Sequence, residues 1–323
     1  MPTDPRIVFL GTPEFAVASL DAIVAAGYRV VAVVTAPDKP AGRGMQLSAS
    51  AVKKYAFEKG LPVLQPERLK NPEFLQTLSA LAADLQIVVA FRMLPEAVWD
   101  MPPMGTINLH GSLLPQYRGA APINWAVING EPFTGVTTFK LQHAIDTGNI
   151  LLQERFPIGE NETAGELHDR MKVIGARVLV DTIDGLVAGS LREMPQVDVL
   201  REPGIPDAPP TIDSSRLKLA PKISTETCRI DWNKPAQDVY NLIRGLSPSP
   251  TAFTELDGRL LKIYHAGKES GTPPVAPGTH DTDGKTYLRW ATPDGYIKAT
   301  ELQLEGKKRM SVEDFLRGYK FNN

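Results

Sequence analysis

The stretch Arg6-Ile-Val-Phe-Leu-Gly-Thr-Pro13 is a short apolar run that ends in a glycine and a proline. Behind it, apolar residues recur at helical spacing, from Phe15 through Leu20 to Val24. This order predicts a buried strand, a turn and an amphipathic helix. The turn lacks the spaced glycines of a dinucleotide-binding loop, so the stretch gives no support to a nicotinamide cofactor.

The same alternation continues along the first half of the chain. Apolar runs at 29–34, 85–90 and 106–109 predict further strands, each preceded by a plausible helix. Strands that alternate with helices predict an α/β fold with a Rossmann-like, mostly parallel sheet. Ligands of such sheets bind beyond the carboxyl ends of the strands, so polar residues at these ends are the first candidates for a site.

The pattern changes towards the C-terminus, and we predict two domains. Residues 136–141 and 150–153 are strand-like, and residues 164–187 have a long helical pattern. We place the first, catalytic domain at 1–200, a linker with four prolines at 201–215, and a second domain at 216–323. In the second domain one helix, 236–246, lies among short strands, which predicts a small β-barrel. Those strands are predicted at 252–255, 260–265, 286–290 and 296–304.

Composition narrows the functional classes. The chain has 323 residues, a single cysteine and no apolar run near the roughly 20 residues that cross a bilayer. We see no secretory leader and no disulfide framework, so we expect a soluble, cytoplasmic protein without a membrane partner. The net charge is −2, but residues 213–323 hold 17 Lys and Arg against 14 Asp and Glu. The second domain is therefore mildly basic, an excess that alone proves no ligand.

Polar residues follow the strand at 106–109. Side chains alternate faces along a strand, so Asn108 and His110 share one face. Acyl transfer to an amine needs donors for an oxyanion and a proton carrier, which an amide and an imidazole can supply. Asp146, in a short polar loop after a later strand, is a plausible third member because a carboxylate would orient the ring and favour its charged form.

Other interpretations of these residues are open. A histidine at a strand end is structural about as often as catalytic, and Asn108 could satisfy a turn. Asp146-Thr-Gly148 also matches the aspartic protease triplet, but those enzymes need two such carboxylates and the triplet occurs once. No histidine pair has the spacing of a metal site, so we expect no metal.

Residues 36–44 are rich in proline and glycine and carry Lys39 and Arg43. We predict an exposed, mobile loop without regular structure at the ligand edge of the sheet.

Taken together, the sequence resembles the methionyl-tRNA formyltransferase family, within the formyltransferase superfamily, over essentially its whole length. The resemblance depends on six stretches: Gly11-Thr-Pro-Glu-Phe-Ala16, Pro37-Asp-Lys-Pro-Ala-Gly-Arg-Gly44, Asn108-Leu-His-Gly-Ser-Leu-Leu-Pro115 with Tyr117-Arg-Gly-Ala-Ala-Pro122, Asp146-Thr-Gly148, Ile243-Arg-Gly-Leu246, and Gly306-Lys-Lys-Arg-Met310.

The resemblance implies the chemistry. It implies that Asn108, His110 and Asp146 are the catalytic triad and that 10-formyltetrahydrofolate donates a formyl group to the α-amino group of initiator methionyl-tRNA. It assigns folate contacts to two segments, Ser112, Leu113, Leu114 and Pro115, and Phe91, Arg92 and Leu94. It assigns tRNA contacts to Lys39, Arg43, Lys307, Lys308 and Arg309, and it makes the second domain an oligonucleotide-binding-like (OB-like) barrel. We expect a monomer.

The chain departs from the family pattern at Phe91, Arg92 and Met45, and residues 246–250 lack a tryptophan that is often found there. These departures concern pterin packing and tRNA contacts. Two alternatives to the implied function are open: formylation of a small amine such as an amino sugar nucleotide, and an inactive tRNA-binding protein that keeps the enzyme scaffold.

Overall fold

The computed structural model describes residues 2–41, 46–199 and 217–321. The chain divides into two compact units, each discontinuous in sequence. The first unit comprises the described parts of 1–118, 135–156 and 169–218, and the second those of 119–134, 157–168 and 219–323. The predicted linker, 201–215, lies outside the described residues, and the sequence-based domain boundaries stay a prediction.

The secondary structure of the described residues is as follows. The strands are β1 (Arg6–Gly11), β2 (Arg29–Val34), β3 (Lys39–Ala41), β4 (Gln46–Ser48), β5 (Val63–Leu64), β6 (Leu85–Val89), β7 (Thr106–His110), β8 (Arg118–Gly119), β9 (Phe133–Lys140), β10 (Ile150–Pro157), β11 (Leu219–Ala220), β12 (Ala252–Leu256), β13 (Arg259–Ser270), β14 (His280–Thr282), β15 (Leu288–Thr292), β16 (Gly295–Leu304) and β17 (Met310–Ser311). The helices are α1 (Glu14–Ala25), α2 (Ala51–Glu58), α3 (Pro72–Ala80), α4 (Glu96–Trp99), α5 (Pro122–Ile128), α6 (Ala164–Val187), α7 (Gln196–Val199), α8 (Thr225–Cys228), α9 (Ala236–Leu246) and α10 (Val312–Gly318).

A seven-stranded sheet forms the centre of the first unit, in the order β10-β9-β7-β6-β1-β2-β5. The five strands from β7 to β5 are parallel, and β9 runs antiparallel to β7. Strands β1 and β6 are buried almost throughout, which explains why both are apolar runs without alternation. The predicted α/β fold with a mostly parallel sheet is confirmed.

A six-stranded antiparallel sheet forms the second unit, in the order β12-β13-β16-β15-β14 with β17 beside β16. Helix α9 packs on β13 and β16, and its apolar face closes a core around the fully buried Trp290. The sheet curls into a half-barrel, which is consistent with the predicted OB-like β-barrel domain. Across the described ranges, we find no helix that is both long and apolar enough to pass through a bilayer.

The prediction for one segment was wrong. We expected residues 36–44 to lack regular structure, but β3 pairs with β4 in a two-stranded antiparallel ribbon. Pro40 is tolerated there because a two-stranded ribbon consists of edges, and an edge position needs no backbone donor. Residues 42–45, between the two strands, lie outside the described part of the chain.

Candidate active site

Asn108 and His110 lie at the carboxyl end of β7, a strand between β6 and β9. Strand β7 ends one residue later than predicted and includes His110. The backbone that carries the imidazole ring is therefore fixed by the pairing of the sheet. Leu109 lies on the opposite face, against α6 at Gly175, where an added Cβ would crowd the leucine. The alternation of the strand therefore puts Asn108 and His110 on one face, as the sequence predicted.

A backbone carbonyl fixes the His110 ring. The Nε2 atom lies 2.8 Å from the carbonyl oxygen of Tyr117, and the ring packs edge-on against Phe139. A carbonyl can only accept a hydrogen bond, so Nε2 must carry a proton. Nδ1 is then the ring atom that can gain or lose one, and its surroundings decide the chemistry of the residue.

The atom facing Nδ1 belongs to Asp146. Its Oδ2 lies 3.9 Å from Nδ1, and both side chains are largely buried, with 7% of the His110 side chain and 12% of the Asp146 side chain exposed. The separation exceeds hydrogen-bond reach, so the pair interacts by charge when the ring is protonated. The structure thus brings together the imidazole and the carboxylate that the sequence placed 36 positions apart.

The turn that carries Asp146 is tight. Asp146 has a φ of 53°, in the left-handed region that few residues adopt without support. Two positions later, a Cβ on Gly148 would overlap the carbonyl oxygen of Lys140 and approach Phe139. The backbone of the turn therefore lies directly on the end of β9, and only glycine allows this approach.

Replacement of Gly148 by alanine should displace the Asp146 turn, because the overlap is with backbone and cannot be relieved by a side-chain rotation. We expect turnover at this site to slow by about 100-fold, the cost of a misplacement of about 1 Å, together with a lower melting temperature. Steady-state kinetics and thermal unfolding measure both effects.

Gly267→Ala is the matched control, since nothing lies within 4 Å of the Cβ it would add. Equal turnover in the two variants would contradict the role given to the turn.

The loop after β7, which contains the predicted folate contacts Ser112 to Pro115, is rigidly held. The Thr137 hydroxyl donates to the Ser112 carbonyl (2.7 Å) and accepts from the Leu114 amide (3.1 Å), and Gln153 donates to the Leu114 carbonyl (2.9 Å). The Ser112, Leu114 and Pro115 side chains are buried, while Leu113 is half-buried. Any ligand contact of this loop must therefore involve mainly its backbone and Leu113.

The second predicted folate segment follows β6, which is the parallel neighbour of β7, so both segments lie at the same edge of the sheet. Phe91 is half-buried and Leu94 belongs to the core of the first unit. Arg92 is exposed and donates to the carbonyls of Glu67 and Pro66. Met93, between Arg92 and Leu94, is 73% exposed, so the segment presents one large apolar side chain at its surface.

The predicted tRNA-contacting cations differ in their surroundings. Lys39, Lys307 and Lys308 are exposed. Arg309 is exposed as well, but it binds Glu301 with two contacts, Nε to Oε1 at 2.6 Å among them, and lies over the Tyr264 ring. This pairing lowers the pKa of Glu301 and raises the pKa of Arg309, so much of the guanidinium charge is already compensated. Arg43 lies outside the described residues.

Sequence reasoning missed the residues that support the site. Thr137 and Gln153 hold the loop after β7, while Arg118 and Gln196 contact one another beside the Asp146 turn. Arg118 follows Tyr117 in a stretch that the sequence singled out, but Gln196 comes from an irregular segment with no local pattern. His143 is exposed, and its Nε2 atom lies 3.3 Å from Oε1 of Glu96.

Comparison with known proteins finds matches to both parts of the chain. A formyl transferase family model matches residues 5–183, and a model of the formyl transferase C-terminal domain matches residues 222–320. The methionyl-tRNA formyltransferase of Parabacteroides distasonis is 53% identical over 323 residues, covering 98% of this chain and 96% of that protein.

Two solved structures share the fold at lower identity. HypX from Aquifex aeolicus, in complex with tetrahydrofolic acid, has a TM-score of 0.63 and 17% identity, and it covers 98% of this chain. The chain spans only 48% of the length of HypX. An N-formyltransferase from Helicobacter canadensis, in complex with folinic acid and dTDP-3-aminofucose, has a TM-score of 0.63 and 19% identity, covering 91% of this chain and 98% of that one.

Both family models and the near full-length identity lead to one conclusion. The chain belongs to the methionyl-tRNA formyltransferase family of formyl transferases.

Proposed function

We propose that this chain transfers the formyl group of 10-formyltetrahydrofolate to the α-amino group of initiator methionyl-tRNA, giving N-formylmethionyl-tRNA and tetrahydrofolate. The observation that carries the proposal is the 53% identity to a methionyl-tRNA formyltransferase across both the catalytic and the C-terminal regions. The identity is far higher than the 19% shared with the amino-sugar formyltransferase of Helicobacter canadensis, which also spans most of this chain, and this difference favours the tRNA over a small acceptor.

The site supports acyl transfer without a metal. The folate supplies the formyl carbon, and a neutral amine, which forms near pH 8, attacks it. The Asn108 amide donates to the oxygen that gains negative charge. His110 also donates a hydrogen bond to this oxygen, from a protonated Nδ1, because Nε2 already donates to the Tyr117 carbonyl.

Protons must move from the attacking amine to the leaving folate nitrogen. Nδ1 of His110 is the atom that can carry them, and the Asp146 carboxylate 3.9 Å away stabilises the charged ring. The C–N bond to the folate breaks as the new C–N bond to methionine forms. One chain provides all three catalytic groups, so we propose that the protein acts as a monomer, in the cytoplasm where translation begins.

Incubation of the full chain with 10-formyltetrahydrofolate and methionylated initiator tRNA tests the function. We expect formylmethionyl-tRNA, detected by mass spectrometry, and tRNA binding that weakens steeply with salt. Uncharged tRNA and a dTDP-amino sugar are the control acceptors. Formylation of the amino sugar with none of the tRNA would favour the small-amine alternative, and binding of tRNA without any transfer would favour an inactive binding protein.

Loss of Arg43 should selectively impair use of the tRNA. We expect Arg43→Ala to lower kcat/KM for the tRNA by about tenfold. The slope of the logarithm of the binding constant against the logarithm of the salt concentration should fall by about one, since one fewer counterion is released. Slow hydrolysis of the formylated folate, which needs no tRNA, should be unchanged.

Arg29→Ala is the matched control, because Arg29 is an exposed arginine at the amino end of β2, away from the carboxyl ends of the strands. Equal loss of tRNA formylation and of folate hydrolysis in Arg43→Ala would count against a tRNA contact.

A further inference from the structure

Gln196, at the start of α7, makes an unusually complete set of contacts beside the Asp146 turn. Its side chain is buried, and its Nε2 donates to the carbonyls of Asp146 and Gly148, both at 2.8 Å. Its Oε1 accepts from Nε and Nη2 of Arg118, at 3.1 and 2.6 Å. Both N–H groups and the carbonyl oxygen are therefore used, and the amide can adopt only this orientation, since a flip would oppose oxygen to oxygen.

The other end of this network leads to the histidine. Arg118 directly follows Tyr117, whose carbonyl holds Nε2 of His110. Burial lowers the pKa of Arg118, and the negative charge of Asp146 opposes that change. Gln196 thus joins the chain segment that orients the imidazole to the turn that carries the carboxylate. The Gln196 amide therefore contacts both the Asp146 turn and the residue that follows Tyr117.

We propose that Gln196 is a positioning residue for the formyl transfer proposed above, on which this inference rests, and that it sets the separation between the Asp146 carboxylate and the His110 ring. The turn needs such support because Asp146 has a positive φ, and strained backbone persists only where its surroundings hold it. Two hydrogen bonds from one amide, to the first and third residues of Asp146-Thr-Gly148, provide it.

Two substitutions test the proposal. Gln196→Ala removes all four contacts. Gln196→Glu keeps the shape and an acceptor for Arg118, but it removes the N–H donors and opposes a carboxylate to two carbonyls. We expect each to lower kcat by about 100-fold, with KM for both substrates changed by less than about twofold and an altered pH profile of kcat.

Gln86→Ala is the matched control. Gln86 is also buried and hydrogen-bonded, to Thr106, but it lies near the amino end of β6, at the opposite edge of the sheet. We expect a loss of stability there with an unchanged pH profile. In the Asp146→Asn background, Gln196→Ala should cost little further turnover, because a residue that acts through Asp146 has nothing left to position.

The His110 ring resonances in NMR spectra of the unliganded full chain separate this inference from the proposed function, since they require no substrate. At fixed pH we expect Gln196→Ala and Asp146→Asn to shift these resonances in the same direction, and Gln86→Ala to leave them in place. Should Gln196→Ala not fold, Gln196→Glu replaces it, and a shift of the ring resonances in either direction is then the expected result, because the new carboxylate adds a charge of its own. Unchanged ring resonances and an unchanged pH profile in a folded Gln196 variant would overturn the positioning role, whichever acceptor the enzyme uses.

Discussion

We expect Asn108→Ala to lower the turnover of formyl transfer by roughly 100- to 1000-fold, about 3 to 4 kcal/mol of transition-state stabilisation, while the protein stays folded. The expected loss is large because, in the proposed mechanism, the amide meets the oxygen only when negative charge develops on it. Folding survives because the half-buried side chain leaves the pairing of β7 with β6 and β9 intact. Single-turnover kinetics with saturating folate and tRNA measure the effect.

Asn71→Ala is a suitable control for that experiment. Asn71 caps α3 through a hydrogen bond to the Glu73 amide, so its loss costs about 1 kcal/mol of stability without touching the site. Near-normal turnover in Asn108→Ala, with that control also active, would refute the oxyanion role.

His110→Gln should lower turnover by about 100- to 10,000-fold, the range for a general acid–base group. Glutamine can still donate to the Tyr117 carbonyl, so the fold of the loop is retained, but it cannot take up a proton opposite Asp146. The residual activity should lose the inflection that the imidazole gives to the pH–rate profile. The measurement is kcat as a function of pH for both proteins.

His265→Gln is the matched control, since His265 is a half-exposed histidine of the second unit, 3.7 Å from Glu301. A His110→Gln protein that keeps both its rate and its pH inflection would show that the proton carrier is another group.

Much of the fold could be predicted because each helix and strand has a signal within its own stretch of sequence. The spacing of apolar residues gave the bounds of α6 and α9 as the structure has them, and turn residues separated the strands of the second unit. The β3–β4 ribbon was missed because its pairing comes from the chain on either side of residues 42–45, where proline and glycine hide any strand pattern.

The site could be predicted only in part, for a related reason. Asn108 and His110 are recognisable from strand alternation, and Asp146 from its place after a strand. The atoms that fix them are less visible: the carbonyl of Tyr117 has no side-chain signature, and Gln196 reaches the Asp146 turn from 50 positions away. A basic triplet likewise suggests three equivalent cations, but Glu301 engages Arg309 and the sequence does not reveal that pairing.

The second unit draws on two stretches that precede the proline-rich segment by many residues, 119–134 and 157–168. Helix α5 packs on α9, Asn161 accepts from Tyr240, and the Glu162 carbonyl accepts from the buried Arg244. A cut at 201–215 would therefore yield two polypeptides that must complement each other, like the fragments of a split protein. The C-terminal region is therefore not a module that can be transferred alone. Fused to another enzyme from residue 216 onwards, it would lack the two earlier stretches that complete the packing of the second unit.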